Sequence, residues 1–75
     1  MKWKLDFVLH SGNKITGIYD GRTERTIDEM IETLLEVNPD SFIEMYGYYG
    51  FGKEIVMVKK SEAAAITVSA YEEGF

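Results

Sequence analysis

Residues 2–9, KWKLDFVL, alternate apolar and polar positions, with Trp3, Leu5, Phe7 and Leu9 on one side and Lys2, Lys4 and Asp6 on the other. A period of two is that of a strand buried on one face, so this stretch predicts a half-covered β-strand. SGN at 11–13 supplies residues that tolerate positive φ, and KITGIY at 14–19 reads as the antiparallel hairpin partner. Gly17 inside the second strand predicts a bulge or a strong bend. The period then changes. In TIDEMIETLLEVNPD, the residues Ile27, Met30, Ile31, Leu34 and Leu35 fall at i, i+3, i+4, i+7 and i+8, the spacing of an amphipathic helix over 27–37. Thr26 and Glu29 match the S/T-x-x-E capping box, Asp28 and Glu29 suit the positive end of the helix dipole, and Asn38-Pro39 ends the helix.

SFIEMYGYY from Ser41 returns to an extended pattern, and KEIVMVKK at 53–60 is dense enough in apolar and β-branched residues for a central strand, with the turn between them near Gly50-Phe51-Gly52. SEAAA at 61–65 has little bulk for a strand interior and predicts a helical or 3₁₀ turn capped by Ser61. ITVSAY at 66–71 predicts a last strand with Ile66, Val68 and Ala70 on one face, and EEGF after it is expected to fray. The order is ββαβββ. It predicts an α+β domain over residues 1–75: a curved five-stranded antiparallel sheet, approaching a small open barrel, with one helix on its concave face. The expected core is Trp3, Leu5, Phe7, Leu9, Ile15, Ile27, Met30, Ile31, Leu34, Leu35, Ile43, Met45, Ile55, Met57, Ile66 and Val68.

Length and composition narrow this further. Seventy-five residues leave room for one domain, near the lower size limit for independent folding. The absence of cysteine excludes disulfides, a thiolate nucleophile and cysteine-based zinc sites. No apolar run is long enough to span a bilayer and no apolar leader stretch is visible, so a cytoplasmic location without membrane association is expected. The net charge of −5 is unevenly spread. Residues 20–44 hold eight acids against Arg22 and Arg25, whereas residues 1–19 carry Lys2, Lys4 and Lys14 against Asp6. An acidic surface of this kind repels phosphate backbones, so nucleic acid is an unlikely partner.

KWKLDFVLHSGNKITGIYDG, together with the later MVKKSEAAAITVSAYEE, resembles small single-domain proteins from phages and mobile elements of Gram-positive bacteria, whose activity is largely uncharacterised. The resemblance covers most of the chain and implies an accessory protein of such an element. The pattern is also similar to Sm-like small barrels, in which an SG turn precedes a strand and a short 3₁₀ turn joins the last two strands. A helix between strands two and three departs from that pattern, and the asparagine-containing RNA pocket of Sm proteins has no match here. Neither resemblance assigns a functional residue.

No motif points to a reaction. His10 is the sole histidine and stands at a strand end, where a turn-flanking imidazole is the simpler reading than a general base. No G-x-S-x-G elbow, P-loop or calcium-binding spacing occurs, so no enzyme, metal or cofactor is expected. The acids Asp28, Glu29, Glu32 and Glu36 form either the solvated face of the helix or a partner-binding face imitating a nucleic acid backbone. EMYGYYGFGKE at 44–54 packs four aromatic rings and three glycines into one stretch. Its glycine–aromatic interleaving has the flavour of an RNA recognition motif, yet the second helix and the basic residues of such a domain are missing. Sheet packing therefore explains part of this stretch. The remainder, Tyr46, Tyr48, Tyr49 and Phe51, is a candidate protein-binding or self-associating patch, with Glu29, Glu32 and Glu36 as the candidate acidic counterpart. The expected function is a non-catalytic protein-interaction module that forms homo-oligomers or binds another protein. The alternative is a single-stranded nucleic acid binder using the same aromatics with Lys53.

Overall fold

The computed structural model describes residues 1–48 and 54–71, and it is built around the most strictly alternating stretch of the chain. In β1 (Lys2–Leu9), Trp3, Leu5 and Phe7 are buried on an inner face, and Lys2, Lys4 and Asp6 point to an outer one. β2 (Lys14–Asp20) returns antiparallel after a turn in which Gly12 adopts φ +93°, a left-handed conformation that side chains disfavour. The backbone amide of Leu9 donates to the Asn13 carbonyl at 2.8 Å and that of Gly12 to the Leu9 carbonyl at 2.9 Å, which closes the hairpin.

α1 (Ile27–Glu36) begins where the sequence says it should. Thr26 Oγ1 accepts from the Glu29 amide at 3.2 Å while Glu29 Oε1 accepts from the Thr26 amide at 3.0 Å, completing the capping box. Val37 then leaves the helical region ahead of Asn38-Pro39. The last turn carries no basic residue of its own, but Lys60 Nζ reaches in from a distant part of the chain and donates to the carbonyls of Leu35 (3.0 Å) and Val37 (2.7 Å). β3 (Phe42–Gly47), β4 (Ile55–Lys59), a 3₁₀ turn (Lys60–Glu62) and β5 (Ala63–Tyr71) complete the order ββαβββ.

The fold is α+β: among the described residues there are five antiparallel strands in the order β4-β3-β2-β1-β5, with the sheet left open so that β4 and β5 are its edges. One helix covers the inner face. Met30 and Leu34, one turn apart, enter a core made with Trp3, Leu5, Phe7, Ile43, Met45 and Val58, and Leu9, Ile15, Val56, Ile66 and Val68 flank it.

Several sequence expectations are corrected. Ile27, Ile31 and Leu35 belong to the apolar side of the helix but are exposed, because the Met30–Leu34 row faces the sheet while Ile31 and Leu35 in the neighbouring row border the β5 edge, where the sheet ends. Ile55 and Met57 are exposed as well. β4 is apolar at four successive positions, so alternation cannot choose its inner face; pairing does, with Ile43 opposite Val58 and Met45 opposite Val56. Ile18 and Val58 are buried instead. Gly17 makes no bulge, since β1 and β2 pair without interruption through Leu5 and Gly17, and the irregularity lies between Val8 and Leu9 along β5. Ser61 sits inside the 3₁₀ turn without capping it, and Ala63–Ala65 are strand residues, held by pairing with Leu9 and Val8. The turn at Gly50-Phe51-Gly52 and the EEGF end lie outside the described residues.

Candidate interaction surface on the outer face of the sheet

The outer face follows from the pairing register alone. Lys4, Ile18, Tyr46 and Ile55 are successive partners across β1, β2, β3 and β4, so they share one row on the side away from the helix. On the β3–β4 half of that face, Tyr46 is opposite Ile55, Glu44 opposite Met57 and Phe42 opposite Lys59. Side chains directly opposite in an antiparallel pair lie about 5 Å apart at Cβ, and diagonal neighbours are within reach of large groups. Phe42 (55% exposed), Tyr46 (43%), Ile55 (55%) and Met57 (52%) therefore form one contiguous apolar patch, with Glu44 in its midst and Lys59 at its end. Ile18, in the same row, is buried. Towards β5 the face continues with Tyr48, whose ring stands edge-on to Tyr71 at 6.1 Å and lies 4.7 Å from Lys4 Nζ.

A cleft of about 530 Å³ opens beside the patch. It exists because β2 and β3 are paired at only two positions, Gly17 with Gly47 and Ile18 with Tyr46, and then splay. Phe42, Tyr46 and Ile55 form part of its rim, and Thr33, Leu34 and Val37 of the helix contribute to its lining. Its acids Asp20, Glu24 and Glu44 outnumber Arg22. Glu24 is 7% exposed, and its Oε1 accepts from Thr33 Oγ1 at 2.9 Å. Burial pushes the Glu24 carboxyl upward, but hydrogen bonds from the Thr33 and Thr23 hydroxyls and from the Glu24 and Thr23 amides outweigh it, holding the group below its ordinary value. Tyr19 is held above its ordinary value by burial first, then by the charges of Glu24 and Asp20. Next to this group the Trp3 indole N–H is buried without a hydrogen-bond partner among the described residues, and a Cβ at Gly21 would stand 2.9 Å from it and 3.2 Å from Glu24 Oε2.

Of the residues singled out by sequence, Tyr46 and Tyr48 lie on this face, each exposed. Tyr49, Phe51 and Lys53 lie outside the described residues. Glu29, Glu32 and Glu36 are exposed on the helix, hence on the opposite side of the sheet from the aromatics, so the two candidate patches are separate surfaces. Glu29 is also engaged locally: its Oε1 accepts from the Arg25 and Thr26 amides. Sequence reasoning missed Ile55 and Met57 as surface residues. Glu44 signals the outward side of β3, but the facing of β4 depends on its register with β3, which carries no local signature. His10 is exposed, and among the described residues no group of three or more His, Cys, Asp or Glu side chains is placed to hold a metal ion. Among the same residues no helix is long and apolar enough to cross a membrane. No protein-family model, curated protein or solved structure matches this chain.

Proposed function

We propose that this chain is a non-catalytic protein-interaction module that self-associates and binds a further protein through the outer face of β3 and β4. The observation that carries the reading is the contiguous exposure of Phe42, Tyr46, Ile55 and Met57. A large aromatic side chain offers roughly 200 Å², so four apolar groups about half exposed present on the order of 350–400 Å². Apolar patches of that size on a small domain commonly mark interaction sites. Glu44 within the patch and Asp20 in the neighbouring cleft favour a partner segment that combines apolar side chains with a basic one. On its resemblance to phage and mobile-element proteins, the module serves as an accessory factor of such an element.

The test is to compare partner recovery by the native chain and by Met57→Glu, an exposed change that places a charge at the centre of the patch. Recovery should fall while circular dichroism shows the fold retained, with a small loss of thermal stability from the like charge of Glu44 directly opposite; equal recovery by both proteins excludes this face.

One observation favours single-stranded nucleic acid instead: Lys4 lies over Tyr48, which contacts Tyr71, an aromatic pair beside a cation. The surrounding charge gives it little support, since Lys2, Lys4, Lys14 and Lys59 on the outer face are nearly balanced by Asp6, Asp20 and Glu44 beside them. Binding to single-stranded DNA or RNA should be undetectable at about 150 mM salt. Micromolar affinity that falls in Tyr48→Ala would establish the competing reading.

A further inference from the structure

We propose that two copies of this chain join through β5, antiparallel about a two-fold axis, so that both sheets become one and the exposed helix rows close over the seam. This rests on the reading of the chain as a self-associating module and names the surface that does it.

The first support is the character of the edge. Among the described residues β5 is the longest strand, nine residues, and it is paired on one side only, with β1. Its sequence AAAITVSAY contains no charge and no proline. Its irregularity is confined to the start: from Ala65 to Tyr71 the strand pairs residue by residue with β1 and presents a regular edge. Monomeric proteins blunt exposed edges with lysines, prolines, bulges or short strands, because free N–H and C=O groups template further pairing. β4 has two of those protections, being five residues long and ending in Lys59. β5 has none along the regular part of its edge.

The second support is the helix. Ile27 (47% exposed), Ile31 (42%) and Leu35 (73%) form one row at i, i+4 and i+8 of α1, of which Ile31 and Leu35 border β5. Between that row and the strand runs an apolar groove of about 320 Å³, lined by Ile31, Leu35, Ala64, Ala65 and Ile66 among others, with Lys60 as its charged member. An apolar row beside an uncharged strand edge is the cross-section of a core with half of its contents missing.

The occupant that fits is a second copy. Two identical antiparallel edges meet under two-fold symmetry with every donor facing an acceptor, and an uncharged strand introduces no like-charge pair across the seam. The size suffices. Nine residues at about 3.4 Å span roughly 30 Å. The domain measures 16 Å in its thinnest direction, so the footprint is on the order of 500 Å² per copy, or about 1,000 Å² in total, near the threshold for a specific interface.

Sedimentation velocity over a wide micromolar range tests the proposal. The native chain should show a concentration-dependent species approaching twice 8.6 kDa. Leu35→Glu and Thr67→Lys alter exposed positions and should each weaken dimerisation about tenfold or more, with circular dichroism unchanged. Met57→Glu, on the far face, should leave the dimer intact while abolishing partner recovery, which separates this proposal from the outer-face reading. Hydrogen exchange should show β5 amides becoming more protected as concentration rises. A single 8.6 kDa species throughout, or a dimer lost in Met57→Glu and kept in Leu35→Glu, would overturn it.

Discussion

Replacing Gly17 by Ala tests how closely the second and third strands approach. Gly17 faces Leu5 on one side and Gly47 on the other, so the inner face at this level is glycine against glycine across β2 and β3. A Cβ added at Gly17 would lie 2.8 Å from Met45 Cβ, 2.8 Å from its Sδ and 2.9 Å from its Cε, distances that real side chains do not tolerate. The Sδ and Cε contacts could be relieved by a rotamer change, although Met45 is buried and has little room. The Cβ contact cannot, because it moves only with the backbone of β3. Overpacking of this kind costs about 1–3 kcal/mol. Loss of glycine's freedom in the unfolded chain returns roughly 0.4–1 kcal/mol, leaving a net destabilisation of about 1–2 kcal/mol. For a domain of this size that lowers the melting temperature by roughly 5–15 °C. Trp3, fully enclosed in the core, supplies the fluorescence signal for thermal and urea melts. Gly47→Ala is the control: among the described residues the nearest atoms to its Cβ belong to the exposed Glu54 side chain, whose carboxyl end at 3.3 Å can swing away and whose Cβ at 3.2 Å is tight but well outside the 2.8 Å approach at Gly17, so the loss should be smaller. Equal effects at the two positions, or an unchanged midpoint for Gly17→Ala, would refute the close approach of β2 and β3.

Other substitutions address the helix and the buried acid. Thr26→Ala removes the acceptor of the Glu29 amide and should cost about 1 kcal/mol by urea denaturation, with helical signal lost first at the N-terminal end. Lys60→Met keeps the aliphatic stem but withdraws two hydrogen bonds from the carbonyls of Leu35 and Val37, and should lower stability by about 1 kcal/mol. Glu24 is depressed on folding below its ordinary 4.5, so its ionised form contributes stability that is fully present above that pH and lost as pH falls through the lower, folded value. Glu24→Gln should flatten the acid limb of a stability-against-pH curve, and an unchanged limb would show that Glu24 is not held ionised. Tyr19, raised on folding, acts in the opposite sense: its contribution is present below about pH 10 and disappears as pH rises through its folded value, so Tyr19→Phe should flatten the alkaline limb.

What the sequence made legible divides along physical lines. β1 could be read because Lys2, Lys4 and Asp6 mark one face as wet, and the helix start could be read because Thr26 and Glu29 act on atoms three residues away. Both signals are local. The facing of β4 is not local: four successive apolar residues satisfy either face, and the choice was made by pairing with β3. For the same reason Tyr46 could be placed on an outward surface through its neighbour Glu44, while Ile55 and Met57, its companions there, could not. The strand character of Ala63–Ala65 was hidden because alanine has little preference for strands, and pairing with β1 overrides that preference. The helix row Ile27, Ile31, Leu35 was correctly apolar and incorrectly assigned to the core, because periodicity reports which side of a helix avoids water but not how wide the sheet beneath it is.

The reach of Lys60 into the helix end also bears on how the molecule opens. The same corner holds two backbone bonds, from the Lys60 amide to Ser41 and from the Ser61 amide to Pro39, so the segment after the helix is tied to the turn between β4 and β5. The two ends of α1 are thus secured by different means: the first turn by its own neighbours, the last turn by Lys60, 25 positions from Leu35 and 23 from Val37. Contacts of long sequence separation form only once the intervening strands are in place, and they are released together with them. In native-state exchange, the N-terminal turn of the helix should open independently, whereas its C-terminal turn should share the opening free energy of β4 and β5, so that one ten-residue helix is divided between two cooperative units.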